Sequence, residues 1–242
     1  MTPRKLYVQQ LLPALRSFLA GYTNRELGMG KDIARGADVA DILLNLPDYI
    51  FRDTSRPAEL TRYQSSKVYR KQRCWVAEPL YELTCDFANA WKHRTITRDR
   101  RSLDGIDSAK EVFAICRFQD EAGTYYRSTK LVMVRVPDGR EMDLRRMLIG
   151  SARFWADEMS ALGYIPPTPP SILEFTEYIT REDEDAARPL KLHGYQHEHL
   201  HVEGRCFDFD GIRKCLVDAP GESGFDGKAQ FEFTIHPSPF EA

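Results

Sequence analysis

The apolar residues of this chain change their spacing near its middle, and that change decides the fold class. Up to about residue 94 they recur every three or four positions, as in helices with one buried face. Leu6, Leu11 or Leu12, Leu15 and Leu19 mark a first helix over 4–20, and Ile33, Val39, Ile42 and Leu43 mark a second over 31–45, closed by Pro47. A third segment follows over roughly 57–71. Val76, Leu80, Leu83, Phe87 and Ala90 draw one apolar stripe along a fourth helix, with Pro79 in its first turn and Val76 just before it.

Beyond Arg94 the period falls to two. "EVFAICRF" (111–118) and "YYRSTKLVMVRV" (125–136) read as strands joined by a turn, and Asp138-Gly139 marks another turn. A long helix is expected from about Asp143 to Leu162, on the stripe Leu144, Leu148, Ala152, Trp155, Met159 and Leu162, with Gly163 as its C-terminal cap. "PPTPP" (166–170) reads as a stiff linker. After it, Asp210-Gly211 suggests a hairpin with a two-residue loop, and "FEFTIH" (231–236) sets Phe231, Phe233 and Ile235 on one strand face. "SILEFTEYIT" (171–180) fits helix and strand equally.

The expected class is therefore α+β. Residues 1–165 form an N-terminal helical bundle with an attached antiparallel β-meander and long helix, 166–170 a proline-rich linker, and 171–242 a small β-rich segment. Composition agrees with a folded chain, at 42% apolar and 29% charged residues. The net charge of −2 gives no overall pull toward nucleic acid or anionic lipid. Five cysteines, with no Cys-x-x-Cys, suit neither a disulfide framework nor a zinc ribbon. The first twenty residues are amphipathic rather than a signal peptide, and no run is long and apolar enough for a bilayer. A cytoplasmic location without membrane attachment is expected.

Two stretches carry chemistry. "LKLHGYQHEHLH" (190–201) holds four of the six histidines. In a strand, alternate residues share a face about 6.6 Å apart, so His193, His197, His199 and His201 line up with Glu203 next. Imidazoles at this spacing can converge on one divalent metal, zinc or manganese, with Glu203 adding an oxygen. Asp218 and His236 are candidate distant ligands. In this reading Cys206 lies opposite Cys215, on the other face, unless a bulge at Gly204 reverses the phase.

The second stretch is on the fourth helix, where Glu82, Asp86, Asn89 and His93 step by four, three and four. Such a stripe can position a proton-transfer pair, with Asp86, Asn89 and His93 as the candidate catalytic residues. It can equally hydrogen-bond to a neighbouring helix. Around it, Arg70, Lys71, Arg73, Lys92 and Arg94 are basic and interleaved with Tyr63, Tyr69 and Trp91, a pattern that suits single-stranded nucleic acid. Ordinary solvated helix ends are the favoured reading of these cations.

The pattern Asp86-x-x-Asn89-x-x-Lys92-His93, with the preceding "ADVADILLNLPDYI", resembles small bacterial proteins of the HEPN-like group over residues 31–95. The resemblance implies a helical bundle that dimerises. Active members cut RNA with an arginine five to seven positions before a histidine, which would make His93 catalytic. The matching positions hold Asp86, Phe87 and Ala88, so the resemblance carries the bundle rather than the ribonuclease. The function that the sequence favours is a non-catalytic binding module that self-associates as a homodimer. The rival is a metal-dependent hydrolase or nuclease built on the histidine strand or on the stripe.

Overall fold

The computed structural model describes residues 1–28, 30–93, 108–136, 138–167, 171–174, 176–195, 203–219 and 227–236. Helices and strands are mixed, so the chain is α+β. It divides into two compact units that interleave along the sequence. The first takes residues 1–19, 33–109 and 133–174; the second takes 20–32, 110–132 and 175–242. The linker expected at 166–170 lies mostly outside the described residues.

The first unit begins with α1 (Pro3–Leu6), which passes through a π-helical turn, Tyr7–Leu11, into α2 (Leu12–Thr23). Then comes α3 (Lys31–Arg52), which does not stop at Pro47 as the sequence suggests. A proline inside a helix removes the hydrogen bond to the carbonyl four residues back, here that of Leu43. The buried Tyr81 hydroxyl donates to that carbonyl at 3.0 Å, which replaces the lost donor and lets the helix continue. One residue on, Arg70 Nη2 donates to Leu44 O at 2.9 Å.

The third segment is broken. A 3-10 turn, Ala58–Arg62, precedes α4 (Ser66–Tyr69), a π-helical turn Arg70–Cys74, and α5 (Trp75–Ala77). Ser65 caps α4 by accepting the Val68 N–H. Helix α6 (Pro79–His93) follows, and the extended backbone of Glu78 separates it from α5. Val76 is therefore not part of the α6 stripe, and it is 75% exposed.

Helix α7 (Leu144–Ala161) lies where its spacing predicts it, and all six stripe residues are buried. Asp143 caps it by accepting the Arg145 N–H, and Gly163 has a φ of +75°. α6 packs against α7 through the Thr84–Ser151 hydroxyl contact at 2.8 Å. Gly150 permits the approach, because a Cβ there would stand 2.7 Å from Leu80 Cδ1. Tyr81 meets Trp155 edge-on at 5.5 Å and stacks on Phe154 at 5.9 Å.

The second unit holds most of the strands. β1 (Glu26–Leu27), β5 (Leu190–Tyr195) and β8 (Phe231–His236) form a parallel three-stranded sheet in the order β1-β5-β8. A five-stranded sheet has the order β4-β3-β2-β6-β7, from β2 (Ala109–Asp120), β3 (Gly123–Arg135), β4 (Glu141–Asp143), β6 (Glu203–Asp210) and β7 (Cys215–Asp218). β4 and the end of β3 belong to the first unit and pair there. β6 runs parallel to β2 over six residue pairs.

Two local expectations are corrected. The β6–β7 loop is four residues long, with Asp210 opposite Cys215 and Lys214 at a φ of +55°, so Cys206 does not face Cys215. There is also no bulge at Gly204, which pairs in regular register with Phe113. Glycine is required there because the Phe113 ring lies over its Cα, and an added Cβ would come within 2.1 Å of the ring. The described residues of 171–180 take neither alternative in full: Ser171–Leu173 form a short 3-10 turn, and 174 and 176–180 belong to no helix or strand.

Candidate functional site

The stripe on α6 is mostly interior. Asp86 is fully buried, Glu82 and Asn89 are half-buried, and the buried run Thr84–Ala88 takes in almost every direction around the helix. The sequence pattern of one apolar and one polar side does not hold there. His93 ends the helix, and its side chain lies outside the described residues. The cations near the stripe are largely engaged by acids. Arg70 pairs with Asp48 at 3.4 Å, Arg73 with Glu158 at 2.9 Å, and Lys92 with Asp41. Glu158 also accepts the buried Tyr69 hydroxyl, which is pushed far above its ordinary range by burial and then by neighbouring groups including this carboxylate. Lys71 is exposed, and Arg94 lies outside the described residues.

The histidine stretch is divided. β5 ends at Tyr195, and His197, His199 and His201 fall outside the described residues. Glu203 does not continue that strand: it opens β6 in the other sheet. Its carboxylate accepts from Lys110 and from Arg205, each at 2.6 Å, and these two cations hold it below the usual carboxylate range. Among the described residues, no group of three His, Cys, Asp or Glu side chains forms a metal site.

Sequence reasoning overlooks a set of buried charges around segment 24–32. Lys130, on β3, reaches Asp32 at 2.5 Å, Asn24 Oδ1 at 2.6 Å and the Glu26 carbonyl at 2.8 Å. Three acceptors match the three N–H donors of an ammonium. Burial pulls the lysine below its ordinary range, against Asp32, Glu111 and Glu26. Arg25 donates to the Ser128 carbonyl and hydroxyl, each at 2.7 Å, and to Pro189 O. Glu111 accepts the Gly28 N–H at 2.7 Å; burial raises its carboxyl, and the backbone N–H groups of Gly28 and Asp32 lower it. The turn before α3 thus receives a carboxylate from the protein itself, and the set acts as a latch that fixes segment 24–32.

A different arrangement lies on the β5–β8 sheet. His193 Nδ1 and His236 Nε2 are 2.9 Å apart, with the rings near parallel at 23° and their centroids 5.2 Å apart. His236, expected as a distant ligand, is brought here by the parallel register, which sets His193 opposite Thr234 and Tyr195 opposite His236. Buried His193 Nε2 has no hydrogen-bond partner. Burial holds His193 below the usual imidazole range; Glu26 opposes this, and His236, Lys31 and Lys191 reinforce it.

β8 is the edge strand of its sheet among the described residues. Phe231 packs edge-on against Phe113 at 4.9 Å, beside the buried Leu27, Leu190 and Leu192. Its same-face neighbours Phe233 and Ile235 are 68% and 75% exposed. Leu190 N–H donates to Gln230 O at 2.8 Å. In a parallel ladder this fixes the direction of every peptide group. The even residues of β8 face β5, and the N–H and C=O groups of Phe231, Phe233 and Ile235 point outward.

An open cleft of about 520 Å³ lies over β2, β3 and β6, lined by Arg117, Gln119, Thr124, Tyr126 and Asp208 among others. The Arg117 guanidinium is held there by Asp208 through two hydrogen bonds, of 2.7 and 2.9 Å. Compared with family models, curated proteins and solved structures, the chain finds no match.

Proposed function

We propose that this chain is a non-catalytic binding module that self-associates through the edge of β8. The observation that carries this reading is the pair of exposed side chains, Phe233 and Ile235, on an edge strand with outward-pointing peptide groups. An apolar edge of this kind is a template for another strand, and natural proteins usually blunt such edges with charge, proline or a bulge. No proline or bulge interrupts 231–235, and the one charge there, Glu232, lies on the sheet face opposite Phe233 and Ile235.

The occupant that fits is a second copy. When β8 pairs antiparallel with itself about Thr234, Phe233 faces Ile235 of the partner subunit as a hydrogen-bonded pair, so the outward peptide groups meet. Glu232 then faces His236 of the partner subunit, an acid against an imidazole, on the opposite side of the sheet. One two-fold axis satisfies all of these pairings.

Sedimentation velocity over a wide concentration range tests the reading. The natural chain is expected to pass from monomer to dimer. A Phe233→Lys/Ile235→Lys variant is expected to stay monomeric with an unchanged circular dichroism spectrum. A natural chain that is monomeric throughout, or a variant that dimerises equally well, overturns it.

A further inference from the structure

We infer that His193 and His236 are the nitrogen half of a divalent transition-metal site, completed by Glu232 of the partner subunit. The inference rests on the self-association proposed above. Two ring nitrogens 2.9 Å apart subtend about 90° at an ion placed the usual 2.0–2.1 Å from each. That is the cis angle of a square or octahedral site, and opening the pair by about 0.4 Å gives the tetrahedral angle of zinc.

The pair is also ill-satisfied as it stands. Whichever nitrogen of His193 carries the proton, one nitrogen bonds to His236 and the other, Nε2, is buried without a partner. A metal on Nδ1 fixes the tautomer with the proton on Nε2.

Two imidazoles are too few for a closed site, and no third ligand is grouped with them among the described residues. The two-fold pairing supplies one. Glu232, Thr234 and His236 share a strand face, and His193 stands beside Thr234 on the same face. Pairing about Thr234 makes Glu232 of the partner subunit the direct cross-strand neighbour of His236. The pair is non-hydrogen-bonded, the type whose side chains approach most closely. Two equivalent His₂Glu sites then flank the axis, and the metal ties β5 and β8 of one copy to β8 of the other. The ligand class is a divalent ion that accepts imidazole and carboxylate, such as zinc.

The test uses the full chain with zinc as the probe. Bound zinc is measured after dialysis, and sedimentation is measured with zinc and with chelator. Four variants are compared with the natural chain: His193→Ala, Glu232→Gln, Phe233→Lys/Ile235→Lys, and His197→Ala/His199→Ala/His201→Ala. The expected result is one zinc per chain and a dimer that loosens on chelation. His193→Ala should lose the zinc. Glu232→Gln should weaken it by at least the roughly 10–100-fold that losing an outer-shell partner costs. The triple variant should keep it.

A dimer that persists with chelator and in His193→Ala, with no stoichiometric zinc, overturns the metal site and leaves the self-association standing. Zinc held equally well by the monomeric Phe233→Lys/Ile235→Lys variant overturns the shared site. Zinc lost only in the triple variant places the metal on residues 197–201 and overturns the assignment to His193 and His236.

Discussion

Lys130 and Asp32 set the scale of single-residue effects in this molecule. Both side chains are 3% exposed, and the ammonium is saturated by Asp32, Asn24 and the Glu26 carbonyl. Burial still draws Lys130 below its ordinary range, so these partners do not fully offset the loss of water. A pair of this kind contributes more to fixing one arrangement than to net stability, and removing one member is far worse than replacing both. Lys130→Met is therefore expected to cost about 3–5 kcal/mol, because the Asp32 carboxylate is left buried without its cation. Lys130→Met combined with Asp32→Leu should recover much of that loss. Urea denaturation of the two single variants and the double variant closes the cycle; a double-variant loss equal to the sum of the single losses would show that the two residues are not coupled.

At the level of the element, what was legible in the sequence depended on whether the deciding partner was local. α7 could be read because its stripe, its cap Asp143 and its terminal Gly163 all lie within the helix or next to it. α3 was read too short because the group that rescues Pro47 belongs to another helix. Glu203 cannot be separated from the histidine strand by sequence for a related reason: alternation of residue types does not reveal that Tyr195 and Glu203 belong to different sheets. His236 could be named as a ligand candidate, but its neighbour His193 could not be chosen without the parallel register of β5 and β8. The buried latch was missed because Arg25, Asp32 and Lys130 look like surface charges until β3 is laid beside segment 24–32.

Tyr81 tests the account of α3. Its hydroxyl is the donor that stands in for the missing Pro47 N–H, and its ring is packed between Phe154 and Trp155. Tyr81→Phe keeps the ring and removes only the donor. It should cost about 1–3 kcal/mol, the penalty of a buried carbonyl left without a partner. In the double variant with Pro47→Ala, the backbone N–H returns to the Leu43 carbonyl, so the same loss of hydroxyl should cost much less. Thermal unfolding of the four chains of this cycle measures the coupling, and an unchanged cost of Tyr81→Phe in the Pro47→Ala background would remove the explanation.

For the whole molecule, the interleaving of the two units decides how the chain can be divided. The proline run suggests a cut near 166, with a free-standing domain on its N-terminal side. The second unit, however, draws on residues 20–32, 110–132 and 175–242, so that cut passes through its membership. A fragment of residues 1–165 lacks β6, which pairs with β2 from Val112 to Arg117, and lacks β5, which pairs with β1. β2 would then carry an open edge, and Phe113 would lose Phe231. Phe118 would lose Tyr178 and Phe209, with which it makes ring contacts at 5.5 and 5.6 Å. An unpaired edge beside uncovered aromatic rings promotes aggregation. The fragment is therefore expected to aggregate or to give poorly dispersed amide resonances, while the full chain gives dispersed ones. The first unit contains every residue of the α6–α7 interface, so helical circular dichroism should survive in the fragment even as the strand signal is lost. A 1–165 fragment that is soluble and monomeric, with β2 amides as protected from exchange as in the full chain, would place the boundary at the prolines after all.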